Sequence, residues 1–448
     1  MRSIGGYRIH GRLGRGGMGA VYKAAKPGSP LVALKVLDPA EMLEAITGME
    51  ELERRFLAEA EIMQGFRHPN IAPVESVGRD ASGRPFFTME YCCENVGALI
   101  GETYRVEDPS RVLAVDRAAD IALQTLSGLG ELHARSVVHR DVKPFNLLLA
   151  PGQAVRIIDF GLSKLRGERI RLHGAEQVGS PFYAAPEQEA APDAVDGRAD
   201  LYGVGVMLYR MLTGRLPELF EQEPSALNTD LDGQWDALLH RATHPDPDQR
   251  FASAQAMADA ITEAVRSWAE RTQASCRLPG EAPDEEFLTL PWQAPLRRDP
   301  VHTGPKVRPQ DLGLDALWRP EAYCANDFTA HGAEVHDAAT GRVWQQGCSP
   351  EAMDWPTAHG YVDALNARRP AGASAWRLPT AEELLSLVEP VQKGRAQCAP
   401  PLFSTVCRRL WSADRRTYAA AWYADMELGF LGAHDMTCMN WVRAVRDA

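Results

Sequence analysis

The stretch "VVHRDVKPFNLLL", Val137 to Leu149, sets His139, Arg140, Asp141, Lys143, Pro144 and Asn146 between two apolar runs. Loops at the ends of buried strands are where chemistry is usually held. A polar surface turn is the plainer reading of the same residues. What the rest of the chain supplies as partners decides between the two.

Upstream, "LGRGGMGAVY" carries Gly14, Gly16 and Gly19, followed by Val21. Glycines let a hairpin lie close over a polyphosphate and offer it backbone N–H groups. Alone, this pattern fits an ordinary hairpin turn equally well. The next strand, "VALK", brings Lys35 at a spacing that would set it under the phosphates. In the helix that follows, Glu59 can reach back to that ammonium. Glu61 competes with it, but lies about 200° further around the helix, so only one of them can face Lys35. Downstream, "IIDFG" places Asp159 after an apolar strand. Asp141 can accept the proton of an attacking hydroxyl, and Lys143 can neutralise charge on a transferred phosphate. Asn146 and Asp159 offer hard oxygen donors suited to Mg²⁺.

In this order, with "APE" at Ala185 to Glu187, "DLYGVGVMLY" with Asp200 and "DPDQRF" with Arg250, the motifs resemble a bacterial eukaryotic-like (Hanks-type) serine/threonine protein kinase over residues 5 to 267. The resemblance implies a bilobal α+β kinase fold that uses ATP and Mg²⁺ and has a protein Ser/Thr substrate. It implies Asp141, Lys143, Lys35 and Glu59 as catalytic residues, and Asn146 and Asp159 as metal ligands. ATP would be held by Leu13, Gly14, Gly16, Gly19, Val21, Ala33, Lys35, Met89, Glu90, Cys92 and Leu148. Of these, Met89 would be the gatekeeper, Glu90 and Cys92 would face adenine with their backbone, and Ala33, Val21 and Leu148 would sandwich the ring. Cys92 and Cys93 read as small hinge side chains rather than as a redox switch.

The activation segment, "LSKLRGERIRLHGAEQVGSPFYAAPE", contains no threonine. Members of the family with an arginine at the place of Arg140 commonly bind a phosphorylated loop residue with it. Here Ser163 and Ser180 are the hydroxyls on offer. Glu168 or Glu176 could pair with Arg140 instead, although both also read as solvated charges.

The chain has 448 residues, 45% hydrophobic and 24% charged, with net charge −12. The length suggests two or three domains, and the charge disfavours a nucleic-acid partner. No apolar run is long enough to span a bilayer. The 8 cysteines show no zinc spacing and read as free thiols, which leads to the expectation of a cytoplasmic protein without a membrane partner. The expected organisation is a kinase domain over 1–267, a Pro- and charge-rich linker over 268–319, and a third piece over 320–448. That last piece holds "WPTAHGYVDALNA", "WRLPTAEELLSLV", "AAWYADMELG" and "NWVRAVRD". These resemble the Lcl C-terminal domain family, which implies a small α+β C-type-lectin-like domain related to the formylglycine-generating-enzyme fold. Thr380 with Glu383 reads as a capping box. Trp376, Arg377 and Arg443 read as scaffold more than as a ligand face. Cys324, Cys348, Cys398, Cys407 and Cys438 do not match the copper-binding pair of the oxidases, so recognition of a ligand or protein partner is the expected role. A pseudokinase scaffold is the alternative for the whole chain; the intact Lys35, Glu59, Asp141, Asn146 and Asp159 argue against it.

Overall fold

Period-two alternation in the first ninety residues becomes an antiparallel sheet. Its strands are β1 (Ser3–Ile4), β2 (Tyr7–Arg15), β3 (Gly19–Ala25) and β4 (Val32–Leu37), followed by β5 (Val74–Arg79) and β6 (Pro85–Glu90), in the order β1-β2-β3-β4-β6-β5. Val32, Leu34 and Val36 face one side and join a core with Tyr22 and Phe86. Alternation sends Ala33 and Lys35 to the other side, where β4 pairs Ala33 with Met89 and Lys35 with Phe87. Between β4 and β5 lie α1 (Glu41–Thr47) and α2 (Met49–Gln64). Helix α2 buries Leu52, Phe56, Glu59, Ala60 and Met63 along one stripe, and its Phe56 meets Phe87 at 5.1 Å. This is a computed structural model, and it describes residues 3–103, 105, 107–159, 181–217, 222–275, 289–290, 296–368, 374–390 and 398–448.

After the sheet come β7 (Glu94–Asn95) and α3 (Val96–Ile100), then the long helix α4 (Val115–Ala134). Short strand β8 (Leu147–Leu149), which follows the His139–Asn146 loop, pairs with β7 on one side and β9 (Val155–Ile157) on the other. Beyond the next described gap, the chain forms α5 (Glu187–Ala190), α6 (Arg198–Thr213), α7 (Pro224–Leu227), α8 (Gly233–Ala242) and α9 (Ala254–Ser275). Helix α6 is buried along most of its length. Gly203 lets it approach the His139–Asn146 loop: a Cβ there would lie 3.0 Å from both the side chain and the carbonyl of Val142. Strand lobe and helix lobe together make the bilobal α+β unit Met1–Gln273.

The second unit is Ala274–Ala448. Strand β10 (Thr289–Leu290) runs parallel to β11 (Tyr323–Cys324). Strands β12 (Phe328–His331), β13 (Glu334–Asp337) and β14 (Arg342–Gln345) are followed by α10 (Trp355–Ala367) and α11 (Ala381–Ser386). A meander of β15 (Arg409–Arg415), β16 (Ala420–Asp425) and β17 (Phe430–Asp435) leads to β18 (Val445–Asp447), which closes the first sheet beside β14. Trp344, Leu384, Leu410, Met426 and Val445 share the core. Trp344, Trp411 and Trp422 are fully buried, as a scaffold role requires.

Two expectations fail here. The linker does not run from 268 to 319. Residues up to Ser275 continue α9, where Arg266 pairs with Glu263 and Glu270. Residues from Leu296 onward belong to the second unit: Leu296 and Leu314 are buried, Arg297 forks onto Asp414 at 2.9 and 2.7 Å, and Trp318 packs on Trp422. Much of the strap satisfies its backbone one group at a time, Val301 N–H on Asp414 and Thr303 N–H on the Arg415 carbonyl, and the 3-10 turn at Pro309–Leu312 is too short to show a period. The cysteines are not all free either. Cys348 and Cys407, 59 residues apart, form a disulfide, and no spacing motif announces a pair brought together only by the folded sheets. Among the described residues, no helix is long and apolar enough to cross a membrane.

Candidate active site

Lys35 Nζ lies 2.8 Å from Glu59 Oε1 and 2.7 Å from Asp159 Oδ1. The stripe on α2 explains why Glu59 meets Lys35: Glu59 shares the buried face with Phe56 and Met63, whereas Glu61 is exposed. Burial works against the Lys35 charge, but Asp159 and Glu59 outweigh it, so its pKa is raised above the ordinary lysine range. Asp159 sits at φ 56°, a left-handed conformation that an aspartate tolerates better than most residues.

The opening stretch forms a loop held from below. Asp200 on α6, 1% exposed, accepts the His139 N–H at 2.9 Å and the Arg140 N–H at 2.7 Å. Its second support is His133, whose Nε2 lies 2.8 Å from Asp200 Oδ2. His139 Nε2 meets the Ile158 carbonyl at 3.0 Å, which ties the loop to the segment carrying Asp159. Arg140 is held at φ 64°. Asp141 follows at once, its carboxylate 2.7 Å from Lys143 Nζ and 2.9 Å from Asn146 Nδ2. Asn146 also donates to the Asp141 carbonyl at 2.8 Å, so loop and side chain are fixed together. Gln188 Nε2 donates to the Arg140 carbonyl at 2.9 Å, and Glu187 forks onto the buried Arg250 at 2.6 and 2.8 Å.

Of the residues expected around adenine, Val21, Ala33 and Met89 lie on neighbouring strands. Ala33 and Met89 are buried and paired across β4 and β6, and Val21 pairs with Lys35 across β3 and β4. Leu148 is half-buried, Leu13 is 46% exposed at the rim, and Glu90 meets Arg156 at 3.2 Å. Gly14 and Gly16 open onto free space, while a Cβ on Gly19 would overlap the Val36 carbonyl, so Gly19 admits no side chain. Burial, with a contribution from Glu90, pushes the Cys92 thiol up to about 12. Phe160, Gly161, Ser163, Glu168, Glu176 and Ser180 lie outside the described residues, so the expectations for the activation segment fall there too.

The sequence reading passed over Glu102, Tyr183, Arg210 and His133. Glu102 closes the apolar run "GALIGE" with no local sign that its carboxylate turns inward. In the second unit, Thr380 and Glu383 form the expected capping box, and the fully buried Glu383 carboxylate is also gripped by Arg342 at 2.7 Å and Arg377 at 2.6 Å. Arg443, 1% exposed, donates to the Gly347 and Ser404 carbonyls and stacks on Phe403.

A lysine–glutamate pair beneath a glycine hairpin, facing an aspartate loop anchored on a buried helix, makes up the working parts of a protein kinase domain. The protein kinase domain family matches residues 7–267, and this chain belongs to it. The Lcl C-terminal domain family matches residues 333–446. The serine/threonine-protein kinase Pkn1 of Myxococcus xanthus is 35% identical over 298 residues, covering 61% of this chain and 40% of the relative. The serine/threonine-protein kinase PksC of Streptomyces coelicolor is 33% identical over 288 residues, covering 59% of this chain and 50% of the relative. The solved kinase domain of Mycobacterium tuberculosis PknI is 31% identical with a TM-score of 0.45, covering 59% of this chain and 98% of that one. The chain thus spans about half the length of the curated relatives it matches.

Proposed function

We propose that the first unit transfers the γ-phosphoryl group of ATP to serine and threonine hydroxyls of a protein substrate. One observation carries the reading: the Asp141 carboxylate stands between Lys143 and Asn146 on a loop whose backbone is fixed by Asp200. A hydroxyl delivered to Asp141 would pass its proton to that carboxylate. The Lys143 ammonium would offset the charge on the transferred oxygens. Lys35, kept charged by Glu59, would align the phosphates beneath the glycine hairpin. Ala33, Val21 and Leu148 would sandwich adenine, with Met89 behind it and the backbone of Glu90 and Cys92 at its edge.

Asn146 turns its amide nitrogen to Asp141, which leaves its carbonyl oxygen as a donor, and Asp159 engages Lys35 through Oδ1 alone. These hard oxygens fit Mg²⁺, which would supply charge neutralisation on the polyphosphate. For the second unit, we propose recognition of a ligand or protein partner on a C-type-lectin-like scaffold. Its two antiparallel sheets around buried tryptophans support that reading.

The test is incubation of the full chain with γ-labelled ATP, Mg²⁺ and a generic acceptor such as casein, followed by phosphoamino-acid analysis. Phosphoserine or phosphothreonine is expected. Absence of transfer, or phosphotyrosine alone, would overturn the assignment.

A further inference from the structure

A buried acid lies beside the catalytic loop without belonging to the motifs described so far. Glu102, whose side chain is 2% exposed, accepts the phenolic hydrogen of Tyr183 at 2.7 Å, and Arg210 Nε stands 3.8 Å from the same carboxylate oxygen. The Arg210 side chain is 1% exposed and is itself fixed, donating to Ser110 Oγ at 3.2 Å and to the Asp108 carbonyl at 3.1 Å. Burial raises the Glu102 pKa, and the charges of Arg210 and Lys143 pull the other way. Helix α3 packs on the catalytic loop itself: a Cβ at Gly97 would lie 2.8 Å from the Phe145 ring.

The three residues join three parts of the molecule. Glu102 follows α3, Arg210 is on α6, and Tyr183 belongs to the short turn Pro181–Tyr183 that precedes "APE". Beneath this turn, a Cβ at Gly203 would be 3.0 Å from the Val142 carbonyl and 3.4 Å from the Tyr183 carbonyl, so α6 supports turn and catalytic loop at one point. Phe182, next to the anchored tyrosine, stays 40% exposed. A buried ion pair of this kind contributes little net stability after desolvation, and its best-attested use is to fix one arrangement.

We propose that Glu102, acting through Tyr183 and backed by Arg210, is a positioning residue that holds the turn at Pro181–Tyr183 against the catalytic loop, so that the protein acceptor is presented to Asp141. The inference rests on the kinase reading above. The Glu102–Tyr183 hydrogen bond joins the segment after α3 to the turn ahead of Ala185. Its removal should therefore weaken use of the acceptor and leave ATP alone.

The experiment measures steady-state transfer by the full chain from ATP to casein for wild type, Tyr183→Phe, Glu102→Ala and Glu102→Gln, together with the thermal midpoint of each. Tyr183→Phe and Glu102→Ala should raise KM for casein about tenfold, the effect of one lost charge-assisted hydrogen bond, with KM for ATP within about twofold. Glu102→Gln keeps an acceptor oxygen for the Tyr183 hydroxyl, so it should recover most of the loss. An unchanged KM for casein in Tyr183→Phe and Glu102→Ala overturns the inference. So does a parallel rise in both KM values with a lowered thermal midpoint, which would mark a merely structural contact. No transfer by wild type overturns the kinase reading and the inference with it. Normal wild-type transfer with insensitive variants removes the inference alone.

Discussion

Asp200 holds Arg140 by its backbone: the Asp200 Oδ1 atom accepts the Arg140 N–H at 2.7 Å while Arg140 sits at φ 64°. A left-handed arginine costs free energy on its own, and the buried carboxylate offsets that cost where the loop must turn toward Asp141. Asp200→Asn retains one acceptor oxygen and replaces the other with a donor. The variant should lose about 1–3 kcal/mol of stability and a larger share of activity, at least tenfold in kcat. Thermal unfolding and initial rates would check this. A variant that matches wild type in both would show that the loop keeps its shape without Asp200.

Lys35 and Glu59 serve one contact, 2.8 Å long. Lys35→Met should impair transfer strongly, and Glu59→Gln less so. In the double variant, Glu59→Gln should add little, since neighbours in one interaction are non-additive. Losses that simply multiply would separate the two residues.

Cys92 gives a prediction that depends on pH. Its thiol is moved from 9.0 to about 12, chiefly by burial. The thiolate is the reactive form, so alkylation of native Cys92 at pH 8 should run about 10³-fold slower than for an unshifted thiol. The sign for stability follows from the raised value. Between about pH 9 and pH 12, the unfolded thiol releases its proton while the folded one keeps it. The contribution of Cys92 to stability is thus present below pH 9 and falls as pH rises through that window. Rapid modification of native Cys92 at pH 8, followed by peptide mapping, would contradict this.

In the second unit, Glu383 is fully buried between Arg342 and Arg377 and closes the capping box with Thr380. Glu383→Ala should cost about 3–5 kcal/mol, because it strands two guanidinium groups. Thr380→Ala should cost about 1 kcal/mol. Denaturant unfolding followed by tryptophan fluorescence would measure both. Equal and small losses would mean the network contributes nothing beyond the cap.

The motif residues were legible because each sits where local periodicity puts it. Lys35 alternates with Leu34 on β4, and Glu59 falls on the stripe with Phe56. The cap at Thr380 was legible because it is made within four residues. What stayed hidden is made at long range. Glu102 meets Tyr183 across 81 residues, Arg297 meets Asp414 across 117, and Cys348 meets Cys407 across 59. None of these pairs has a local signature. The strap from Leu296 to Trp318 reads as linker because largely irregular backbone bonded group by group looks the same in sequence as chain bonded to water.

The central claim is that Asp141 receives the acceptor hydroxyl and does not hold the nucleotide. Its carboxylate engages Lys143 and Asn146, whereas Lys35, which would align the phosphates, engages Glu59 and Asp159. The most direct measurement compares wild type with Asp141→Asn in two assays, transfer of labelled phosphate to casein and equilibrium binding of ATP with Mg²⁺. Transfer should fall by at least about 10²–10⁴, with ATP affinity within about twofold. Transfer at the wild-type rate in Asp141→Asn would contradict the account.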